Sequence, residues 1–152
     1  MDELSGKRIF VIEDDPTNMA VFAATLKRSG ALVMQDPWNG RTVKLLKQFL
    51  PVDIILIDLM LRFGVSGYEI FDKIKHEPEL AAVPVVVVSA SDPEVEIPRA
   101  MEKGFAGFIA KPIDSSQFPL QIACCMKGDQ VWYSGEKLKV WKANNEPIRI
   151  NH

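Results

Sequence analysis

Asp53-Ile54-Ile55-Leu56-Ile57-Asp58 is the stretch that decides the fold. Its four consecutive apolar residues stand between Pro51 and a glycine-containing loop. A run this short, apolar without alternation, suits a strand covered on both faces, as in a parallel sheet. Such sheets bind ligands just beyond the carboxyl ends of their strands. Asp58 stands at that end, so other strands of the same kind would bring their own terminal side chains to the same edge.

Upstream, Ile9-Phe10-Val11-Ile12 is a second apolar run, and it ends in the carboxylates Glu13-Asp14-Asp15. Asp15-Pro16 predicts a helix cap followed by proline in the first turn. Met19, Phe22, Ala23 and Leu26 then recur at helical spacing up to Gly30. Ala31-Leu32-Val33-Met34 reads as a strand, and Thr42 to Phe49 as a helix that Pro51 ends. Downstream, Arg62 to Gly67 is a loop with two glycines, and Tyr68, Phe71 and Ile74 mark a third helix closed by Pro78. Val83-Pro84-Val85-Val86-Val87-Val88 is a strand rich in β-branched residues, with its proline confined to the start; it ends in Ser89.

Asp92 to Lys103 should hold a fourth helix, interrupted by Pro93 and Pro98. An interior proline removes a hydrogen bond and clashes with the preceding turn, at ~3 kcal/mol or more, so the helix is expected to start late, near Ile97-Pro98, or to be irregular before it. Gly107-Phe108-Ile109-Ala110 is a fifth strand running into Lys111-Pro112, and a helix from about Ser115 to Met126 follows. Five strands alternating with five helices predict right-handed crossovers and an α/β fold with a parallel sheet covered on both faces.

The 152 residues suit one domain with a proper core. Hydrophobic residues at 47% and charged ones at 25% are ordinary for a soluble globular protein. Eighteen basic against twenty acidic residues leave a net charge of −2, which supplies no electrostatic reason to expect nucleic acid or an anionic membrane as a partner. No apolar run approaches the ~20 residues of a membrane span, and the N-terminus has no apolar signal core; a cytoplasmic protein is expected. The adjacent Cys124 and Cys125 form neither a disulfide framework nor a metal spacing and read as small apolar residues late in a helix. His76 reads as a solvated residue at a helix end.

Four of the five predicted strands end in a polar group: Glu13 and Asp14, Asp58, Ser89, and Lys111. At one edge the carboxylates could not stand bare, since two charges at about 4 Å repel by ~4 kcal/mol at an effective dielectric of about 20. A hard divalent cation relieves this, and an all-oxygen site with few protein ligands suits Mg²⁺. Lys111 adds positive charge. A hydroxyl and an ammonium facing the carboxylates make a place for an anionic group, as phosphoryl transfer requires. Each residue singly has a duller use: Asp14 as a helix cap, Asp15 more so, Ser89 as a strand end, Lys111-Pro112 as a surface turn, Phe108 as core.

Together, Phe10-Val11-Ile12-Glu13-Asp14-Asp15-Pro16-Thr17-Asn18, Leu56-Ile57-Asp58-Leu59-Met60-Leu61, Ser66-Gly67-Tyr68-Glu69, Val87-Val88-Ser89-Ala90 and Phe108-Ile109-Ala110-Lys111-Pro112 resemble the receiver domain of two-component response regulators. The resemblance spans Lys7 to Met126, so residues 1–126 are expected to form the receiver and 127–152 an extension. It implies a flavodoxin-like, doubly wound five-stranded sheet in the order 2-1-3-4-5. It implies Asp58 as phosphoacceptor from a histidine kinase or histidine phosphotransfer protein, and Mg²⁺ (Mn²⁺ can substitute) held by Asp14, Asp58 and the backbone carbonyl of Met60, with Glu13 acting through water. Ser89 and Lys111 would hold the phosphoryl oxygens, and Phe108 would turn inward after Ser89 moves. The output would be a protein contact, without direct DNA binding. No enzyme activity is implied beyond self-phosphorylation and slow self-dephosphorylation, since Met60 offers no group to orient water.

One loop departs from the family. Arg62 stands where proline is usual, four residues beyond Asp58, and Gly67 comes one residue late; Arg62 and Phe63 are expected to point into water. That departure keeps open a phosphorylation-independent pseudo-receiver acting as a binding scaffold. A Mg²⁺-dependent phosphohydrolase is a weaker alternative, for want of a general acid near Asp58. Within the extension, Val131-Trp132-Tyr133 and Leu138-Lys139-Val140-Trp141 predict two short strands around a turn. An isolated hairpin is marginal in water, so its aromatics should dock on the domain, on a second copy in a homodimer, or on a partner.

Overall fold

Each of the five apolar runs is a parallel strand in the computed structural model, which describes residues 3–142 and the backbone of 147–149. They are β1 (Arg8–Ile12), β2 (Leu32–Asp36), β3 (Ile54–Ile57), β4 (Val85–Ser89) and β5 (Gly107–Ala110). Between them run α1 (Pro16–Arg28), α2 (Thr42–Gln48), α3 (Gly67–His76) and α4 (Pro93–Lys103), with α5 (Phe118–Met126) after β5. The expected order 2-1-3-4-5 is present, and the flavodoxin-like reading holds for this part of the sheet.

The sheet does not stop at β5. Strand β6 (Gln130–Tyr133) lies parallel to β5, with Phe108 opposite Trp132, and β7 (Leu138–Trp141) returns antiparallel to β6. A further strand, β8 (Pro147–Arg149), pairs with β7. Among the described residues the expected five-stranded sheet is therefore eight-stranded, and the hairpin docks on its own domain as added strands. The reason lies in the edge of β5: its unpaired N–H and C=O groups form a template that β6 completes. Gly107 allows the approach, since a Cβ there would lie 2.5 Å from the Val131 carbonyl oxygen. Other parts of the expected 127–152 extension, 143–146 and 150–152, lie outside the described residues.

Alternation along the strands sorts the core into two layers. On one face Phe10, Ile55, Val87, Phe108 and Trp132 pack with Leu46, Phe71, Ile74 and Ala100 from α2, α3 and α4. On the other, Val11, Leu56, Val88, Ile109 and Val131 pack with Phe22, Leu26, Phe118 and Ile122 from α1 and α5. Cys125 is buried in the second layer, and both cysteines are free. His76 is exposed in the last turn of α3. Among the described residues no helix is long and apolar enough to cross a membrane.

Two helix starts differ from expectation. Helix α4 begins at Pro93 and runs through Pro98. Pro93 occupies the first turn, where its missing N–H costs nothing, and Asp92 caps the Glu94 N–H at 3.1 Å. The helix is also held from outside: the Tyr68 hydroxyl donates to Glu96, and the Arg99 guanidinium lies 4.3 Å from the Tyr68 ring. Helix α5 begins at Phe118, three residues later than expected, because Asp114 first folds a turn that accepts from the Ser116 N–H and hydroxyl.

Candidate functional site

The loop after β1 starts the site. Asp15 caps α1, its carboxylate accepting from the Thr17 N–H at 2.8 Å, a contact worth ~1 kcal/mol. With Asp15 engaged there, Glu13 and Asp14 are left to the sheet edge. Asp58 follows β3 and meets them: carboxylate oxygens of Glu13, Asp14 and Asp58 lie within 4.8 Å of one another. Glu13 and Asp58 are buried, and Asp14 is half-buried.

Lys111, beyond β5, closes the cluster. Its ammonium donates to Glu13 Oε1 at 2.5 Å and to Asp58 Oδ2 at 2.7 Å, with only 10% of its side chain exposed. Burial pulls the Lys111 pKa down, but hydrogen bonds to Asp58 and Glu13 outweigh it and leave the pKa raised. Burial raises the Glu13 pKa, and the hydrogen bond from Lys111 offsets this only partly. The Met60 N–H donates to Asp58 Oδ1 at 3.2 Å. That bond ties the Met60 backbone to the Asp58 carboxylate while the Met60 side chain stands 72% exposed.

Ser89 ends β4 and is buried; its hydroxyl donates to Ser91 Oγ at 3.1 Å. Phe108 is fully buried in β5, beside Trp132 of β6. The expected inward turn of its ring thus has no exposed starting position in this structure.

Three carboxylates with no sulfur or imidazole among them form a hard-oxygen donor set, which fits Mg²⁺ or Mn²⁺ and disfavours softer metals. A response regulator receiver domain model matches residues 9–123. The chain belongs to the response regulator receiver family. Among relatives of this receiver, the PilH protein of Pseudomonas aeruginosa is 27% identical over 121 residues, covering 80% of this chain and 98% of PilH. The polar-differentiation response regulator DivK of Brucella ovis is 30% identical over 112 residues, covering 74% of this chain and 89% of DivK. A solved receiver domain of a Pseudomonas aeruginosa sensor histidine kinase, with magnesium ion coordinated in the active site cleft, superposes at a TM-score of 0.66. It is 24% identical and covers 78% of this chain and 95% of that one. The receiver therefore belongs to two-component signalling.

The receiver's unusual loop also corrects an expectation. Arg62 does not simply point into water. Its Nη2 donates to the Asp14 carbonyl at 3.3 Å and to the Pro37 carbonyl at 3.4 Å, and its Nε lies 3.9 Å from Asp14 Oδ2. Phe63 is 86% exposed as expected, yet its ring rests against Trp38 with centroids 5.9 Å apart. The extra residue is absorbed by a 3-10 turn over Arg62–Gly64, closed by the Leu61 N–H on the Val65 carbonyl at 3.0 Å. Gly67 then passes Asp58 closely; a Cβ there would lie 2.4 Å from the Asp58 carbonyl oxygen. The departure from proline at position 62 was the sequence signal for this contact. Its direction depended on where Asp14 and Pro37 sit in space.

Proposed function

We propose that this receiver accepts a phosphoryl group on Asp58 from a histidine kinase or histidine phosphotransfer protein, with a Mg²⁺ requirement, and passes the signal on by protein contact. The observation that carries the reading is the Lys111 ammonium held between Glu13 and Asp58 beside a third carboxylate. Asp58 is ready as a nucleophile: a carboxylate needs no general base. One oxygen of Asp58 forms the new O–P bond as the bond from phosphorus to the donor's leaving group breaks. Lys111 donates to an equatorial phosphoryl oxygen, exchanging its present bond to Asp58 Oδ2 for that contact. Asp14, Asp58 and the Met60 carbonyl would hold the ion, Glu13 through water; the ion supplies neutralisation of phosphoryl charge.

Ser89 couples the site to the rest of the chain. To donate to a phosphoryl oxygen its hydroxyl must leave Ser91 Oγ, its present acceptor. Ser91 directly precedes Asp92, the cap of α4, so this exchange reaches the start of α4. Such a shift redistributes states that already exist. Met60 offers no polar group beside the acceptor, so self-dephosphorylation is slow. The test is intact mass after incubation with acetyl phosphate and Mg²⁺, alongside Asp58→Asn. One phosphoryl adduct is expected on the wild type, absent without Mg²⁺ and absent in the variant, and persisting well beyond seconds after the donor is removed. No adduct under any condition would leave the scaffold reading in its place.

A further inference from the structure

We propose that Arg62 is a tethered counter-cation for the acidic pocket, holding a place beside Asp14 that a divalent cation must claim. The inference rests on the reading of that pocket as a cation site. Lys111 pairs with Glu13 and Asp58, and among the described residues no lysine ammonium pairs with Asp14. Arg62 faces that third carboxylate, with Nε 3.9 Å from Asp14 Oδ2. Three carboxylates and two side-chain cations leave the pocket one net negative charge before any ion enters. A second positive charge beside Asp14 would compete with a divalent ion for the same carboxylate, since like charges at short range repel.

The guanidinium is not loosely placed. Its Nη2 bridges the Asp14 carbonyl, after β1, and the Pro37 carbonyl, after β2. The next residue, Phe63, latches on Trp38 through the ring contact, and Trp38 is itself fixed by its N–H donating to Asp36 Oδ1 at 2.9 Å. Phe63 and Trp38 both adopt left-handed backbone, at φ 63° and 62°. Non-glycine residues keep that conformation only where the surroundings over-determine it. Asp14, Pro37 and Arg62 also line one cleft of about 490 Å³. The arm from Arg62 to Gly64 thus ties three loops together around Asp14. Claiming Asp14 for a divalent ion displaces the guanidinium and frees the Pro37 carbonyl beside Trp38.

The side chain of Arg62 is 52% exposed, so water takes up much of the loss and the effect is modest. Calorimetric titration of Mg²⁺ into the metal-free wild type, Arg62→Ala and Arg62→Lys tests it. Arg62→Ala should bind Mg²⁺ roughly two- to fivefold more tightly than wild type, with Arg62→Lys between them. The gap should narrow at high NaCl, because exposed charges are screened. Tryptophan emission should shift with Mg²⁺ in the wild type and lose that shift in Trp38→Phe. Equal or weaker binding by Arg62→Ala, while the wild type binds, overturns the proposal and leaves the cation site standing. Failure of all three proteins to bind Mg²⁺ removes the cation reading and this inference with it.

Discussion

Glu13 shows how opposed forces are balanced at a single residue. Burial disfavours its charged form, the Lys111 ammonium at 2.5 Å favours it, and the nearby Asp58 charge disfavours it again. Burial prevails, so the folded-state pKa lies above the ordinary 4.5. Between those two values the folded chain binds more protons than the unfolded one, so stability falls as pH rises. The contribution is fully present below pH 4.5 and is lost through the raised pKa. Denaturant melts between about pH 4 and pH 7 should show the metal-free wild type losing stability relative to Glu13→Gln as pH rises. A wild type that holds level with Glu13→Gln, or gains on it, as pH rises would mean that Lys111 and not burial governs this carboxyl.

Among the elements, α4 carries an unresolved cost. Pro98 sits five residues into the helix and supplies no N–H to the Glu94 carbonyl. The helix is offset by its Asp92 cap, by Gly104 at φ 96°, and by the Tyr68 hydroxyl on Glu96. The closing turn is tight, with the Phe105 N–H returning to the Ala100 carbonyl at 3.0 Å. Pro98→Ala restores the missing bond without touching these contacts, and urea unfolding should register a gain of ~1–3 kcal/mol. Unchanged or lower stability would show that the proline's restriction of the unfolded chain offsets the missing hydrogen bond.

For the molecule as a whole, β6 changes what kind of object the receiver is. Strand β5 is not an edge: β6 completes its hydrogen bonding, and Trp132 covers the flank of Phe108. Truncation after Asp129 would return β5 to the edge and expose a flat apolar flank, which invites pairing between chains. The truncated receiver should melt well below the full chain and associate in light scattering, where the full chain should not. A truncated form equally stable and equally dispersed would mean that the added strands contribute nothing to the fold. Part of the loss comes from Trp132, since removing a buried tryptophan typically costs ~3–5 kcal/mol.

By itself the sequence determined the central sheet and the composition of the site. Short apolar runs punctuated by proline and glycine set five strands, and the residues at the ends of four of them set what stands at the carboxyl edge: Glu13 and Asp14, Asp58, Ser89, Lys111. That much is local, because a strand delivers its next residue to the sheet edge whatever its neighbours are. Local chemistry also set the Asp15 cap. Contacts between distant residues were decided only by the tertiary structure. Arg62 reaches Asp14 across 48 positions, and β6 finds β5 because that strand's polar backbone was otherwise unpaired and Gly107 left room for Val131. Neither contact follows from spacing or periodicity. Each depends on which exposed group the folded sheet leaves in need of a partner, and that is settled only once the strands have found their order.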